Sequence, residues 1–239
     1  KSTDTDSATH GTGGAIGCLN SNNGKLSANT IIRVINSGTI SGGLHVGGAI
    51  GYSKMNNDKL FVQSTGPING LDYVGGAVGY NANEINSVYT KLLSGSSVKG
   101  NNFTSGAIGY SEYYTGGAVG YNEGSITSIS ASISSTVVKG AFHAAGAIGI
   151  NRNTVGTITV DAADSSITGQ VYTAGAVGNN YASITGISVT FSNTDIKGSN
   201  YTAGAVGYNE KAIGTVTAGM SSSTVDGEIY TAGGVAYNK

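Results

Sequence analysis

A nine-residue motif, typified by residues 201–209, recurs along almost the entire chain. Alignment of its copies on the central small residue gives nine anchors: Ala15, Ala49, Ala77, Ala107, Ala118, Ala147, Ala176, Ala205 and Gly234. The last four intervals between these anchors, from Ala118 to Gly234, are identical in length. Because a single inserted residue would break this spacing, we interpret the chain as an array of 29-residue structural repeats.

Apolar residues occupy fixed positions after each anchor. In the repeat that follows Ala176 they stand eight, eleven, thirteen and fifteen residues later, at Ile184, Ile187, Val189 and Phe191. The last three alternate with Ser and Thr, which predicts a half-buried strand. A further column, twenty residues after the anchor and two before a corner Gly, comprises Val138, Ile167, Ile196 and Val225. Each repeat is therefore predicted to contain about three short strands.

These repeats predict an all-β fold, a parallel β-solenoid (β-helix) of about eight coils. A 29-residue unit of three strands cannot bury its apolar side chains alone, whereas stacked units pair equivalent strands and share one core. Helical repeats are disfavoured because β-branched residues, Gly and Asn are poor helix formers. We expect residues 11–239 to form the solenoid and residues 1–10 to be a polar tail or a cap over the first coil.

One interval breaks the regular spacing. The anchors Ala107 and Ala118 are much closer together than any other two successive anchors, and the chain between them is too short to circle a coil. Two interpretations remain open for residues 105–121: a seam or irregular coil between two stacked halves, or a hairpin formed by the two copies of the motif.

The motif itself is expected to have one bulky and one bare face. Successive side chains of a strand point to opposite faces, so Thr202, Val206 and Tyr208 are predicted to share the core side. Ala203 and Ala205 would then lie on a bare outer side. A bare face either allows a neighbour to approach the backbone closely or has no partner at all.

Two polar or aromatic columns accompany the motif. Six asparagines four residues after their anchors are predicted to form a ladder of amides between coils: Asn81, Asn122, Asn151, Asn180, Asn209 and Asn238. Four residues before the anchors, the aromatic or imidazole side chains are His45, Tyr73, Phe103, Tyr114, His143, Tyr172, Tyr201 and Tyr230. This stripe either stabilises a corner by ring stacking or, as an interaction stripe, binds glycan rings or another subunit.

Composition excludes several classes of function. Charged residues make up 10% of the chain and the net charge is −1, so the basic face of a nucleic-acid-binding protein is not expected. Cys18 has no partner for a disulfide. No apolar run approaches the roughly 18 residues of a membrane span, so membrane insertion is not expected. Lys1 begins a polar segment rather than a signal peptide, which is typical of a mature or trimmed product.

Catalytic and metal-binding patterns are not found. His10, His45 and His143 lack metal-ligand spacing, so neither a metal site nor a cofactor is expected. A polysaccharide-cleaving enzyme would need converging carboxylates. Asp164, Asp195 and Asp226 fall in three different columns instead, so we expect no enzymatic activity.

Two sequons mark Asn102 and Asn200 as potential N-glycosylation sites. Both asparagines stand five residues before an anchor, so they are expected at the same corner of their coils. The modification requires a source organism that N-glycosylates secreted proteins, and the Thr of each sequon is also a repeat residue.

Residues 41–52 (SGGLHVGGAIGY) resemble the GLUG-type repeats of bacterial surface proteins, adhesins and surface peptidases. The resemblance is confined to this short motif, which returns over nearly the whole chain, with Ala in place of the family's Leu at eight of nine anchors. It implies an extracellular or cell-surface location and a stalk-like or adhesive region. It implies no catalytic residues.

Two functions are therefore considered. The leading hypothesis is a structural subunit of an extracellular fibre, filament, stalk or adhesin. Because a full motif runs up to residue 239 without an evident cap, we expect self-association into a homo-oligomer or filament, or excision from a longer array. The alternative is a glycan- or ice-binding module that uses Thr104, Thr115, Thr173, Thr202 and Thr231, although alternation turns these side chains toward the core.

Overall fold

The structure is a computed structural model. It describes residues 11–19, 30–54, 57–70, 72–82, 84–99, 114–116, 119–135, 137–139 and 143–239. Segment 1–10, expected to be a tail or cap, and most of residues 100–118 lie outside these ranges. Every strand pairing in the described ranges is parallel and joins equivalent strands of successive coils, so the predicted parallel β-solenoid is confirmed.

Each regular coil contains four strands, which we name leading, ladder, long and short in chain order. The leading strands are β1 (Thr12–Gly13), β5 (Leu44–Gly47), β9 (Asp72–Gly75), β13 (Tyr114–Gly116), β17 (His143–Ala145), β21 (Val171–Ala174), β25 (Asn200–Ala203) and β29 (Ile229–Ala232). The ladder strands are β2 (Ile16–Leu19), β6 (Ile50–Ser53), β10 (Val78–Asn81), β14 (Val119–Asn122), β18 (Ile148–Asn151), β22 (Val177–Asn180), β26 (Val206–Asn209) and β30 (Val235–Asn238).

The other half of each coil consists of one long and one short strand. The long strands are β3 (Ile31–Asn36), β7 (Asn57–Ser64), β11 (Ile85–Leu92), β15 (Ile126–Ser134), β19 (Val155–Ala163), β23 (Ile184–Ser192) and β27 (Ile213–Ser221). The short strands are β4 (Ile40–Ser41), β8 (Pro67–Asn69), β12 (Ser97–Lys99), β16 (Val137–Lys139), β20 (Ser166–Thr168), β24 (Asp195–Lys197) and β28 (Thr224–Asp226).

The apolar columns form the core, as the spacing predicts. Ile184, Ile187, Val189 and Phe191 on β23 are each at most 3% exposed. Their equivalents on β15 and β19 belong to the same cluster, which continues into the ladder strands. Alternate residues of the long strands face outward, so one face of this sheet is buried and the other is open to solvent.

The motif is bent rather than continuous, and this corrects the expectation of one bulky and one bare face. The chain turns at Gly204–Ala205, so the motif supplies two strands, β25 and β26, and each coil has one strand more than expected. Ala203 and Ala205 are fully buried, as is Val206. The bend turns the small residues inward, where adjacent coils leave no room for larger side chains.

Two of the sheets are continuous on either side of the irregular region around residues 105–121. β10 pairs directly with β14, with Val78 opposite Val119, so the copy of the motif at Ala118 stacks on the copy at Ala77. In the described ranges the ladder and long sheets run through this level, whereas the leading and short sheets are each divided into two. The copy anchored on Ala107 lies outside the described residues, so a seam or a hairpin there stays a prediction.

Candidate functional site

The six asparagines expected to form a ladder do so. Each Nδ2 donates to the Oδ1 of the next asparagine toward the C-terminus, over donor–acceptor distances of 3.2, 2.8, 2.8, 2.7 and 2.6 Å from Asn81 to Asn238. The ladder strands place these side chains at their last residue, where they are buried in every coil except the last. The ladder therefore fixes the register between coils.

The ladder amides also hold the turn that follows each ladder strand. The Nδ2 of Asn180 donates a second hydrogen bond to the carbonyl oxygen of Ala182 at 2.6 Å, and Asn209 makes the same bond to Lys211 at 2.6 Å. Both donor hydrogens of these amides are thereby used, which is necessary because an unpaired buried polar group is costly. One side chain thus serves both the stacking of coils and the turn within a coil.

The predicted aromatic stripe is a stack of rings. His143, Tyr172, Tyr201 and Tyr230 follow one another with ring centroids 4.7, 4.9 and 5.0 Å apart. His45 packs against Tyr52 and Tyr80. Tyr73 and Tyr114 lie in β9 and β13, at the equivalent positions, but their side chains are outside the description, as is all of Phe103.

A second tyrosine column, which was not predicted from the sequence, packs against this stripe. Tyr52 stacks on Tyr80 at 5.3 Å, and Tyr208 stacks on Tyr237 at 5.1 Å. Tyr208 also meets the edges of Tyr172 and Tyr201 at 5.5 and 5.6 Å. The signal was present in the sequence, because tyrosine recurs three residues after several anchors.

These ring contacts limit which parts of the stripe are open to a ligand. Stacking covers both faces of Tyr172 and Tyr201 with neighbouring rings, so those faces have no room for a sugar ring. Tyr230 is 50% exposed, on the last coil. Ring stacking at the corner is thus observed for these residues, and binding of a glycan or another subunit by the stripe stays a prediction.

The corner that carries the stripe has an unusual backbone. Tyr172, Tyr201 and Tyr230 have φ values of 55°, 54° and 53°, in the left-handed region. This conformation costs an L-residue roughly 1–2 kcal/mol. Aromatic pairs contribute about 0.5–1.5 kcal/mol beyond their buried area, so stacking offsets much of the strain at these three tyrosines.

Two hydroxyls of the second tyrosine column are paired with carboxylates. The hydroxyl of Tyr80 donates to Glu123 Oε2 at 2.6 Å, and that of Tyr208 donates to Glu210 Oε1 at 2.9 Å. The hydrogen bond to Glu210 is the main cause that raises the pKa of Tyr208 to about 12, with desolvation and the negative charge of Glu210 as further causes. Tyr208 therefore stays protonated under ordinary conditions.

Two members of the threonine column proposed for ice or glycan binding are internal. Thr173 and Thr202 are fully buried, and neither Oγ1 has a hydrogen-bond partner. Thr231 is exposed on the last coil, Thr115 lies in β13 and Thr104 is outside the described residues. The inward orientation follows the alternation argument, and a flat binding face cannot be built from Thr173 and Thr202.

Of the remaining candidate residues, Asp164 and Asp195 line the same open depression at the surface, and each has its own polar partner. Asp164 accepts a hydrogen bond from Asn193, and Asp195 pairs with Lys197 at 3.0 Å. The pKa of Asp195 is lowered, mainly by its hydrogen bond from Thr224 and then by Lys197. Burial raises the pKa of the Cys18 thiol. In the part of the chain that the structure describes, no group of three or more potential ligands could hold a metal ion.

Asn200, one of the two sequon asparagines, lies at the start of β25 and is partly buried. Its backbone N–H donates to the carbonyl oxygen of Gln170 at 2.8 Å. Asn102 is outside the described residues. Nor do the described residues include a helix that is long and apolar enough to cross a membrane.

The outer face of the long-strand sheet divides into two parts. On β3, β7 and β11 the outward side chains are apolar, aromatic, cationic or neutral: Ile31, Arg33, Ile35, Lys59, Phe61, Gln63, Ser87, Tyr89 and Lys91. On β15, β19, β23 and β27 the same three columns continue as Ser128, Ser130, Ser132, Thr157, Thr159, Asp161, Gly186, Ser188, Thr190, Thr215, Thr217 and Gly219. The sheet thus has a cationic aromatic end and a hydroxyl-bearing remainder.

Comparisons of the chain with protein-family models, with curated proteins and with solved structures find no match. The function is therefore inferred from the residues and geometry of the chain itself.

Proposed function

We propose that this chain is a structural subunit of an extracellular fibre, filament, stalk or surface adhesin, in which the solenoid is a rigid spacer. The observation that carries the proposal is the continuous register of the coils. Ladder strands pair at the same positions from Ile16 to Val235, and the buried asparagine ladder repeats that register in side chains. Stacking at roughly 4.8 Å per coil gives the eight ladder strands a length of about 34 Å.

The composition of the surface supports an extracellular setting. The outer face of the long-strand sheet carries small hydroxylated side chains over four strands, with Asp161 as the only charge in its three outward columns there. The resemblance of the motif to GLUG-type repeats supports the same location. A spacer needs no catalytic group, and its length is set by the number of repeats.

Self-association follows from the same stacking chemistry. β27 and β30 are edge strands of their sheets, and Met220 and Ile229 beside them are 37% and 52% exposed. A strand from a neighbouring copy that paired there would continue a sheet and cover these side chains. This form of assembly is β-strand addition at the end of a solenoid.

Two measurements test the proposal. On intact source cells, a membrane-impermeant amine-reactive biotin reagent is expected to label this chain, and external protease is expected to release fragments of it. Recovery of the chain only in the unlabelled cytosolic fraction would contradict the extracellular assignment. For self-association, sedimentation velocity is expected to show species that grow with concentration, whereas a single monomeric boundary at all concentrations would exclude assembly through β27 and β30.

A further inference from the structure

The cationic end of the long-strand sheet combines charge with exposed apolar area. Arg33, Lys59 and Lys91 lie on three successive strands and face outward. Ile31 and Ile35, on the same face of β3, are 62% and 65% exposed. We refer to these five residues together with Phe61 and Tyr89 as the cationic platform.

The aromatic rings of the platform form a short stack with one available face. The guanidinium of Arg33 lies 4.8 Å from the centroid of Phe61, which stacks on Tyr89 at 4.7 Å with an interplanar angle of 7°. The next residue in this column is Ser130, whose side chain is too short to cover the ring of Tyr89. A flat ring can therefore stack on Tyr89 above Ser130, as sugar rings do on aromatic side chains.

The charges of the platform are not neutralised within the described structure. No described carboxylate forms an ion pair with Arg33, Lys59 or Lys91. The described outward residues of β3, β7 and β11 in the three columns include no acidic side chain, and the first acid in these columns is Asp161, on β19. The platform is thus complementary to an anion, although the whole chain has a net charge of −1.

We propose that the cationic platform and the hydroxyl-bearing columns beyond it bind an acidic polysaccharide that lies along the solenoid axis. Its carboxylate or sulfate groups pair with Arg33, Lys59 and Lys91. One sugar ring stacks on Tyr89, and sugar hydroxyls exchange hydrogen bonds with Ser130, Thr159 and their neighbours. This binding is independent of the role of the solenoid as a spacer.

Two other anionic partners fit the platform less well. Nucleic acids bind through many phosphate contacts, whereas three cations are available here and the columns beyond them are uncharged except for Asp161. An anionic membrane would need apolar side chains over the remaining face, and that face carries Ser, Thr and Gly instead. An extended, polyhydroxylated and anionic chain matches both parts of the face.

The test is binding of the full chain to immobilised polygalacturonate, measured by biolayer interferometry at low ionic strength. The triple substitution Arg33→Ser, Lys59→Ser and Lys91→Ser is expected to weaken binding at least about tenfold, because three charge-assisted contacts are lost. The matched control, Lys197→Ser, Lys211→Ser and Lys239→Ser, changes the net charge equally on other surfaces and is expected to leave binding within about twofold. Circular dichroism checks that both variants stay folded.

Further measurements separate the stacking contribution and the alternative partners. Tyr89→Ser is expected to weaken binding while leaving its salt dependence unchanged, since the charges remain. Neutral dextran is expected not to bind. The proposal is overturned if polygalacturonate does not bind, if the control triple variant loses as much affinity as the platform variant, or if single-stranded DNA or phosphatidylserine vesicles bind more tightly than polygalacturonate. The spacer proposal is tested by location and sedimentation, so its failure is distinguishable from failure of this one.

Discussion

Small residues at the bend of the motif are required by the neighbouring coils. A Cβ atom added at Gly175 would overlap the carbonyl oxygen of Gly204 in the next coil and the ring of Phe191 in the core. A Cβ atom added at Gly204 would likewise overlap the carbonyl oxygen of Gly233 and the side chain of Met220. Neither the backbone of an adjacent coil nor a fully packed core ring can move away at low cost. The smallness of these positions thus reflects internal packing rather than a surface for a partner.

The effect of a Gly→Ala substitution at this column, one residue before the anchor, is predicted to differ between coils. Gly175→Ala is expected to lower the free energy of unfolding by roughly 1–3 kcal/mol, the usual cost of overpacking. The matched control is Gly233→Ala, at the equivalent position one residue before the anchor Gly234, where an added Cβ meets nothing within 4 Å. Urea denaturation measures both variants, and equal losses for the two would contradict the packing explanation.

Tyr208 gives the fold a defined response to alkaline pH. Its pKa is raised to about 12, chiefly by the hydrogen bond to Glu210, whereas a tyrosine in an unfolded chain has a pKa of about 10. The folded state therefore holds this proton more tightly. The resulting stabilisation is fully present below about pH 10 and is lost as the pH rises through about 12.

Glu210→Gln is predicted to narrow the pH range over which the protonated Tyr208 stabilises the fold. Without the carboxylate charge, the pKa of Tyr208 should fall toward about 10, so one phenol should ionise earlier in a titration followed at 295 nm. Between about pH 10 and 12 the free energy of unfolding should then fall less steeply with pH, because the folded state no longer holds one proton more than the unfolded state. Glu228→Gln changes the charge equally and serves as the control; a similar change in the titration of both variants would contradict the role of Glu210.

At the scale of elements, the ladder strands are held by one side chain per coil. Asn180 is fully buried, accepts from Asn151, and donates to Asn209 and to the carbonyl of Ala182. Removal of this amide would leave the Nδ2 of buried Asn151 without its acceptor, and the Oδ1 of Asn209 with only a long hydrogen bond of 3.5 Å from the N–H of Lys211. The ladder column ends in Ser53 and Leu19 toward the N-terminus, so the sequence itself varies only at the end of the stack.

Asn180→Leu is predicted to be severely destabilising. Each buried polar group left unpaired costs roughly 1–3 kcal/mol, and the loss should appear as a lower denaturation midpoint in urea. Asn238→Leu is the matched control, because Asn238 is exposed and makes a single ladder bond, with Asn209. Similar losses for the two substitutions would show that the interior ladder does not fix the register.

The long strands end at a second corner column with left-handed backbone. Ser135, Asp164, Asn193 and Ser222 have φ values of 48–51°, directly after the strands β15, β19, β23 and β27. Because the penalty of this conformation applies to residues with a Cβ, a glycine at this corner should be favourable. The same substitution one residue earlier, within the strand, should be unfavourable.

The adjacent residues Ser134 and Ser135 allow both expectations to be tested with Ser→Gly substitutions. Ser135→Gly is expected to raise the free energy of unfolding by up to about 1 kcal/mol, after the larger unfolded-state entropy of glycine is allowed for. Ser134→Gly, at the last residue of β15, is expected to lower it by about 0.5–1 kcal/mol. Thermal or urea unfolding that gave the two variants the same sign would contradict the assignment of the corner.

At the scale of the whole molecule, stability is built from equivalent coils. Long strands β19 and β23 pair over eight residues, and β23 and β27 pair over the same eight columns. Each coil therefore contacts mainly the coils before and after it, and the array can be shortened by a whole unit.

Deletion of residues 147–175, which removes one whole repeat and joins Gly146 to Ala176, is predicted to preserve the fold. Small-angle X-ray scattering should show a rod shorter by about 5 Å, and unfolding should stay cooperative. Deletion of residues 147–160 is the control, because the loss of about half a repeat brings unlike columns into register and should abolish cooperative unfolding. Equivalent behaviour of both deletions would contradict the repeat architecture.

The sequence by itself determined the parallel β-solenoid, the apolar columns and the asparagine ladder. The constant repeat period places identical side chains one above another, so each column can be assigned as buried or outward from its neighbours, as with Val189 between Ser188 and Thr190. Stacking makes local sequence sufficient here, because the partner of each strand is a copy of itself. The positions of the interaction stripe, by contrast, were predicted from the sequence, but the stacking that covers the faces of its rings was not.

Only the tertiary structure decided which way the motif turns. Alternation along an unbroken strand predicted Ala203 and Ala205 outside, whereas the bend at Gly204–Ala205 places both in the core. At the bend, Gly204 lies directly against the carbonyl oxygen of Gly233 and the side chain of Met220 in neighbouring elements, and no local pattern encodes this contact. The packing of Tyr201 against Tyr208 and the joining of Arg33, Lys59 and Tyr89 on one face depend likewise on how the coil closes. Those features required the three-dimensional path of the chain.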